Sequence, residues 1–130
     1  MNIICNLDND ISITKIDVTA FNGFDRYNYS LVEKNGIQEF INKLNEIKLL
    51  KTIFGDLFTG KVYTDLHFEN YLINLYEKSR LVASIQIIRK DVMIAGMTDG
   101  TYNYRIVNYS NIDLEMLYQL ASKYGEVINR

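Results

Sequence analysis

Between Tyr71 and Val107 the chain alternates apolar and polar residues in short runs separated by turn-forming pairs, and few folds accommodate that pattern. Tyr71, Ile73 and Leu75 make one run, and a turn near Lys78-Ser79 leads to Leu81, Ala83, Ile85 and Ile87. A turn at Lys90-Asp91 precedes Val92 to Met97, and Asp99-Gly100 supplies the dipeptide favoured in tight hairpins before Thr101 to Val107. A period of two puts alternate side chains on one face of a strand, so four half-buried antiparallel strands in a meander are expected. Leu66 to Tyr76 also admit a helical reading, with Phe68, Leu72, Leu75 and Tyr76 on one face; the strand reading is preferred over so short a run.

Upstream, Asn2 to Leu7 reads as a strand, Asp8-Asn9-Asp10 as a turn, and Ile11 to Ile13 as a strand resumed. The phase of the alternation slips at Thr14-Lys15 before Ile16 and Val18, which suggests a bulge. Asn22-Gly23 marks a turn, and Tyr27 to Glu33 resumes the alternation in a further strand. Two segments have helical spacing instead. Ile37, Phe40, Ile41, Leu44 and Ile47 form a stripe to about Leu50, with Asn35, Gly36 and Gln38 as its capping arrangement. Leu114, Leu117, Tyr118, Ala121 and Tyr124 form another, which Ser110 and Asp113 would open as a capping box and Gly125 would end in a left-handed stop, closing the chain with a helix. The implied class is α+β: an antiparallel β-meander sheet with two amphipathic helices packed on one face, in one compact domain over residues 1–130.

Composition narrows the chemistry this fold can carry. One histidine, one cysteine and no tryptophan or proline leave little from which to build nucleophiles or metal cages. A formal charge of −2, from 14 basic and 16 acidic residues, gives no long-range field to gather nucleic acid or an anionic membrane. Cys5 lies in the apolar run Ile3-Ile4-Cys5 and has no partner for an internal disulfide, so it reads as a small buried hydrophobe in a reducing compartment. The first residues carry no basic leader, and no run approaches the roughly 18 apolar residues of a membrane span, so a cytoplasmic protein is expected. Abundant Ile, Asn, Lys and Tyr fit an AT-rich gene, a bias common in mobile or phage-borne genes.

No motif promises catalysis or a cofactor. Gly55 to Val62 follows the P-loop spacing through Lys61, then has Val62 where the motif needs a Ser or Thr for magnesium; the glycines read as turns. Asp8-Asn9-Asp10 opens like a calcium loop, but Ile13 stands where the sharp-turn glycine belongs. Asp65, His67 and Glu69 would share one face of an extended segment, and a small enzyme using His67 with these carboxylates is the catalytic alternative. An exposed strand edge has the same composition and is the preferred reading. Ten tyrosines exceed what a core of this size needs. Tyr102 with Tyr104, and Tyr27 with Tyr29, share strand faces without the basic groove that nucleic-acid stacking requires, and amphipathic rings of this kind suit protein interfaces.

Tyr76-Glu77-Lys78-Ser79-Arg80-Leu81-Val82-Ala83-Ser84-Ile85, then Tyr102-Asn103-Tyr104-Arg105-Ile106-Val107 and the helix from Asp113 to Leu120, together resemble small bacterial toxin-immunity proteins in layout. The resemblance implies a cytoplasmic inhibitor that neutralises one cognate toxin, such as the nuclease domain of a contact-dependent growth inhibition effector. Acidic side chains and tyrosines can imitate phosphates and bases before a basic cleft, which points to Asp25, Tyr27, Asp56, Asp65, Glu69, Asp99 and Tyr102 as contact residues. The expectation is a protein partner, no cofactor, no metal, no nucleic acid and no membrane. A phage inhibitor of a defence nuclease and a structural or oligomeric accessory protein are the other binding alternatives.

Overall fold

The computed structural model describes residues 13–51, 70–89, 92–97, 100–108 and 111–128. Strands β1 (Lys15–Asn22) and β2 (Asp25–Leu31) pair antiparallel through a two-residue loop, from Asn22 opposite Asp25 to Ile16 opposite Leu31. Helix α1 (Lys34–Asn45) then leads to β3 (Leu49–Lys51). Strands β4 (Asn70–Glu77), β5 (Arg80–Arg89), β6 (Val92–Met97) and β7 (Gly100–Ile106) form the expected meander. Helix α2 (Glu115–Tyr124) and the short β8 (Glu126–Val127) follow.

These strands make one eight-stranded sheet in the order β3-β7-β6-β5-β4-β1-β2-β8, with every pairing antiparallel. That order dictates what the helices do. The α1 segment must cross from β2, near one edge, to β3 at the other, and α2 must bring the chain back from β7 to β8. Both pack on one sheet face and touch each other, giving the α+β architecture that the spacing predicts.

Alternation sets the buried face. Ile16, Val18 and Ala20 of β1, Tyr29 and Leu31 of β2, Tyr71, Ile73 and Leu75 of β4, and Ala83, Ile85 and Ile87 of β5 all point into the core. Ile37, Phe40 and Leu44 from α1 and Leu117 and Ala121 from α2 close over them. Each large apolar side chain so buried is worth about 1.5–3 kcal/mol, and a one-residue slip would turn a strand's whole set to water, so the register is strongly fixed. Asn108 ties the end of α1 to the edge of the sheet: its Nδ2 donates to the Glu46 carbonyl (2.8 Å) and its Oδ1 accepts from the Lys48 N–H (2.8 Å).

Several local expectations are corrected. Helix α1 begins at Lys34, with Glu33 in the capping position and no side-chain cap, so Asn35 and Gly36 lie inside its first turn. Gly36 is there for space, since a Cβ would lie 2.5 Å from Tyr124 Cβ where α1 meets α2. The helix stops at Asn45, and Leu50 belongs to β3. Leu81 is exposed while Val82 is buried, because Leu75 faces Ala83 and Tyr76 faces Leu81; the extra residue on β5 is a bulge that resets the alternation. The hairpin expected at Asp99-Gly100 forms and Gly100 has a positive φ (146°), but Gly100 pairs with Met97 as the first residue of β7, so it closes the turn rather than lying at its centre.

Around α2 the chemistry of both ends differs from the expected boxes. Asp113 precedes the helix, and its Oδ1 accepts the Glu115 N–H (3.0 Å), so it acts as the capping side chain itself. Gly125 is extended (φ −91°, ψ 158°) and makes no left-handed stop. It is small because a Cβ would meet the Ala121 carbonyl oxygen at 2.6 Å and Tyr29 Cβ at 3.0 Å. That close approach lets the chain pass over β2 and end in β8, so a strand follows the last helix. β1 starts at Lys15 and pairs without a shift, so no bulge interrupts it, and residues 1–12 lie outside the described residues.

Candidate interaction face

The β1–β2 hairpin brings together two of the expected contact residues, Asp25 and Tyr27. Its loop is Gly23-Phe24, and Gly23 has a φ of 63° with no positive φ at Phe24, the pattern of a type II′ turn. The loop length forces Phe24 to the tip, beyond the reach of the core, and its ring is 92% exposed. Asp25 and Arg26 follow on exposed positions, and Tyr27 is 38% exposed. Phe, Arg and Tyr within four consecutive residues are side chains enriched at protein contacts, and the Asp25 carboxylate beside them suits the polar rim of such a contact.

Tyr27 is braced from behind. Its ring meets that of Tyr118 on α2 edge to face, with centroids 5.9 Å apart at 66°, and Tyr118 meets the buried Tyr29 in the same way at 6.0 Å and 67°. A hydrogen bond with Tyr29, then burial, then the neighbouring phenols Tyr29 and Tyr27 raise the Tyr118 pKa above its ordinary value, against a smaller opposing effect of Ser122. The Tyr118 hydroxyl therefore keeps its proton at neutral pH. Tyr118 is fixed in turn by Tyr71, whose hydroxyl donates to the Leu114 carbonyl (2.6 Å) and accepts the Tyr118 N–H (3.1 Å). An exposed ring held by a chain of packed rings loses little freedom on binding, which favours affinity.

The sheet face away from the helices has a different character. Thr19 Oγ1 donates to Asn28 Oδ1 (2.8 Å) and Ser84 Oγ to Asn74 Oδ1 (2.7 Å), so short polar side chains on neighbouring strands satisfy one another. Near its rim, Lys15 Nζ lies 4.4 Å from the centre of the Tyr76 ring. Larger apolar groups such as Leu72, Leu81 and Leu50 are scattered over this side, where single exposed residues carry no signal.

Of the contact residues expected from sequence, Asp25 and Tyr27 fall on the hairpin, and Tyr102 lies in β7 opposite Ala95, several strands away. Asp56, Asp65, Glu69 and Asp99 lie outside the described residues, as do His67, Cys5 and the Gly55 to Val62 segment. The residue missed by sequence reasoning is Phe24. The Asn22-Gly23 pair was the available signal, because a two-residue loop there leaves Phe24 no route to the core. Among the described residues no three of His, Cys, Asp or Glu come together as a metal site, and no helix is long and apolar enough to cross a membrane. No family model matches this chain, and neither does any curated protein or solved structure.

Proposed function

We propose that this protein works by binding: it is an immunity protein or a comparable small inhibitor that neutralises a cognate toxin, a nuclease domain, by covering its active site in the cytoplasm. The observation that carries the reading is Phe24, 92% exposed at a hairpin tip with Asp25 beside it and a buttressed Tyr27 behind. Burying such a ring against a partner is worth about 1.5–3 kcal/mol, and nothing within the chain's own hairpin claims that energy. Asp25 supplies the negative charge that a basic nuclease cleft would attract, speeding encounter. Asp56, Asp65, Glu69, Asp99 and Tyr102 extend the proposed contact set.

Co-expression tests the proposal. The reading frame upstream of the gene, expressed alone, should arrest growth, and supplying this chain should restore it. A neighbour without toxicity, or toxicity that this chain fails to relieve, overturns the reading. Charge reversal at the proposed acids should weaken the complex for the subset that makes contact, and unchanged affinity across the whole set would refute the site.

A further inference from the structure

The dipeptide Asn-Gly occurs twice in the chain, and the fold treats the two copies in opposite ways. Asn22 is the last residue of β1, and Gly23 opens the hairpin loop with a φ of 63°. Asn35 and Gly36 sit in the first turn of α1, where the Ile37 N–H bonds the Glu33 carbonyl across them (2.9 Å) and Tyr124 leaves no space at Gly36 for even a Cβ.

We infer that Asn22 is a site of spontaneous deamidation and isoaspartate formation, and that Asn35 is protected by the fold. The Gly23 backbone nitrogen, as it loses its proton, attacks the side-chain carbonyl carbon of Asn22. The new N–C bond closes a five-membered imide while the bond to the side-chain nitrogen breaks, and that nitrogen leaves as ammonia. Water then opens either carbonyl of the imide, giving aspartate or isoaspartate at position 22. The step needs only base and water, and it requires that the Asn–Gly peptide plane turn toward the side chain.

That freedom separates the two sites. At the tip, glycine has no Cβ to hinder the approach, and residues Phe24 to Tyr27 are exposed, so the loop opens without disturbing the core. In α1 the same rotation would unwind the first turn and push Tyr124 of α2 aside. The products also change the hairpin. An aspartate at 22 directly faces Asp25 across the pair, and like charges directly opposed destabilise a sheet. Isoaspartate lengthens the backbone by one carbon, so the 22–25 pair no longer fits a two-residue loop. The inference stands whether or not the tip is the contact surface.

The experiment ages the purified protein in mildly alkaline buffer, folded and in urea. Isoaspartyl groups are labelled with an isoaspartyl-specific carboxyl methyltransferase, and the tryptic peptides covering residues 16–26 and 35–43 are compared by mass. In the folded protein the first peptide should gain label and about one dalton at least about tenfold faster than the second. In urea the two should react at similar rates, and Asn22→Gln should abolish labelling of the first alone. Equal rates in the folded protein, or an unmodified first peptide, overturn the assignment.

Discussion

The β1–β2 and β4–β5 hairpins are built to the same plan and finished differently. Each has a two-residue loop, closed by Asn22 opposite Asp25 in one and Glu77 opposite Arg80 in the other, and each holds its first loop residue at a positive φ. In β1–β2 that residue is Gly23, which adopts the conformation at no steric cost, and the next is the exposed Phe24. In β4–β5 it is Lys78 (φ 57°), a strained choice that its surroundings must hold. Thr14 provides the hold: its Oγ1 accepts the Lys78 N–H (2.6 Å) and its own N–H donates to the Tyr76 carbonyl (2.8 Å). An Arg80–Glu77 ion pair (3.3 Å) clothes that tip in charge. One tip is tied down and solvated, whereas the other is unstrained and leaves an apolar ring in water.

The largest effect that would sharpen this contrast is at Gly23. Gly23→Val forces a β-branched residue into a positive φ that nothing else enforces, and about 1–2 kcal/mol of stability should be lost in urea unfolding. An unchanged midpoint would mean that the tip can be rebuilt without that conformation. Thr14→Val should cost about 0.5–1.5 kcal/mol, since it leaves the Lys78 amide without its acceptor while keeping the side chain's shape. Hydrogen exchange at the Lys78 amide should speed up in this variant, and an unaffected amide would break the claim that Thr14 holds the turn.

How much of this was legible in the sequence follows from which forces act locally. Ile16, Val18 and Ala20 announce their face because alternation and burial are the same fact, and the helical stripe from Ile37 to Leu44 does so for the same reason. Asn35, before Gly36, was misread as the cap of α1 and Gly125 as a left-handed stop, since the two glycines are set by Tyr124 and by Tyr29, residues far away in sequence. β8 left no pattern at all in two residues; it exists because Gly125 lets the chain close on β2. The candidate site divides in the same way. Asp25 and Tyr27 read as surface residues from their chemistry, whereas Phe24 looks like core until the loop length is known.

A smaller effect, of opposite sign, is expected at the strained tip. Lys78→Gly relieves the left-handed conformation but adds backbone entropy to the unfolded chain, so the net gain should be about 0.5 kcal/mol. Combined with Thr14→Val the gain should grow, because relaxing the strain removes part of what the threonine must hold. Strict additivity of the two would show that the hydrogen bond and the left-handed turn are independent, and the two hairpins would then differ less than their geometry implies.

The smallest effect on stability should come from the residue most exposed to water. Phe24→Ser removes a ring that is 92% exposed, so unfolding stability should stay within about 0.5 kcal/mol of the parent, and the purified protein should be less prone to stick to apolar matrices. Under the proposed function the same change should lose much of the affinity for the partner, because a ring buried only in a complex contributes only there. The corresponding change at the other tip, Ser79→Ala, should alter neither stability nor binding. A Phe24→Ser protein that binds as tightly as the parent would show that the apolar ring is incidental, and the contact surface would then have to be sought away from this hairpin.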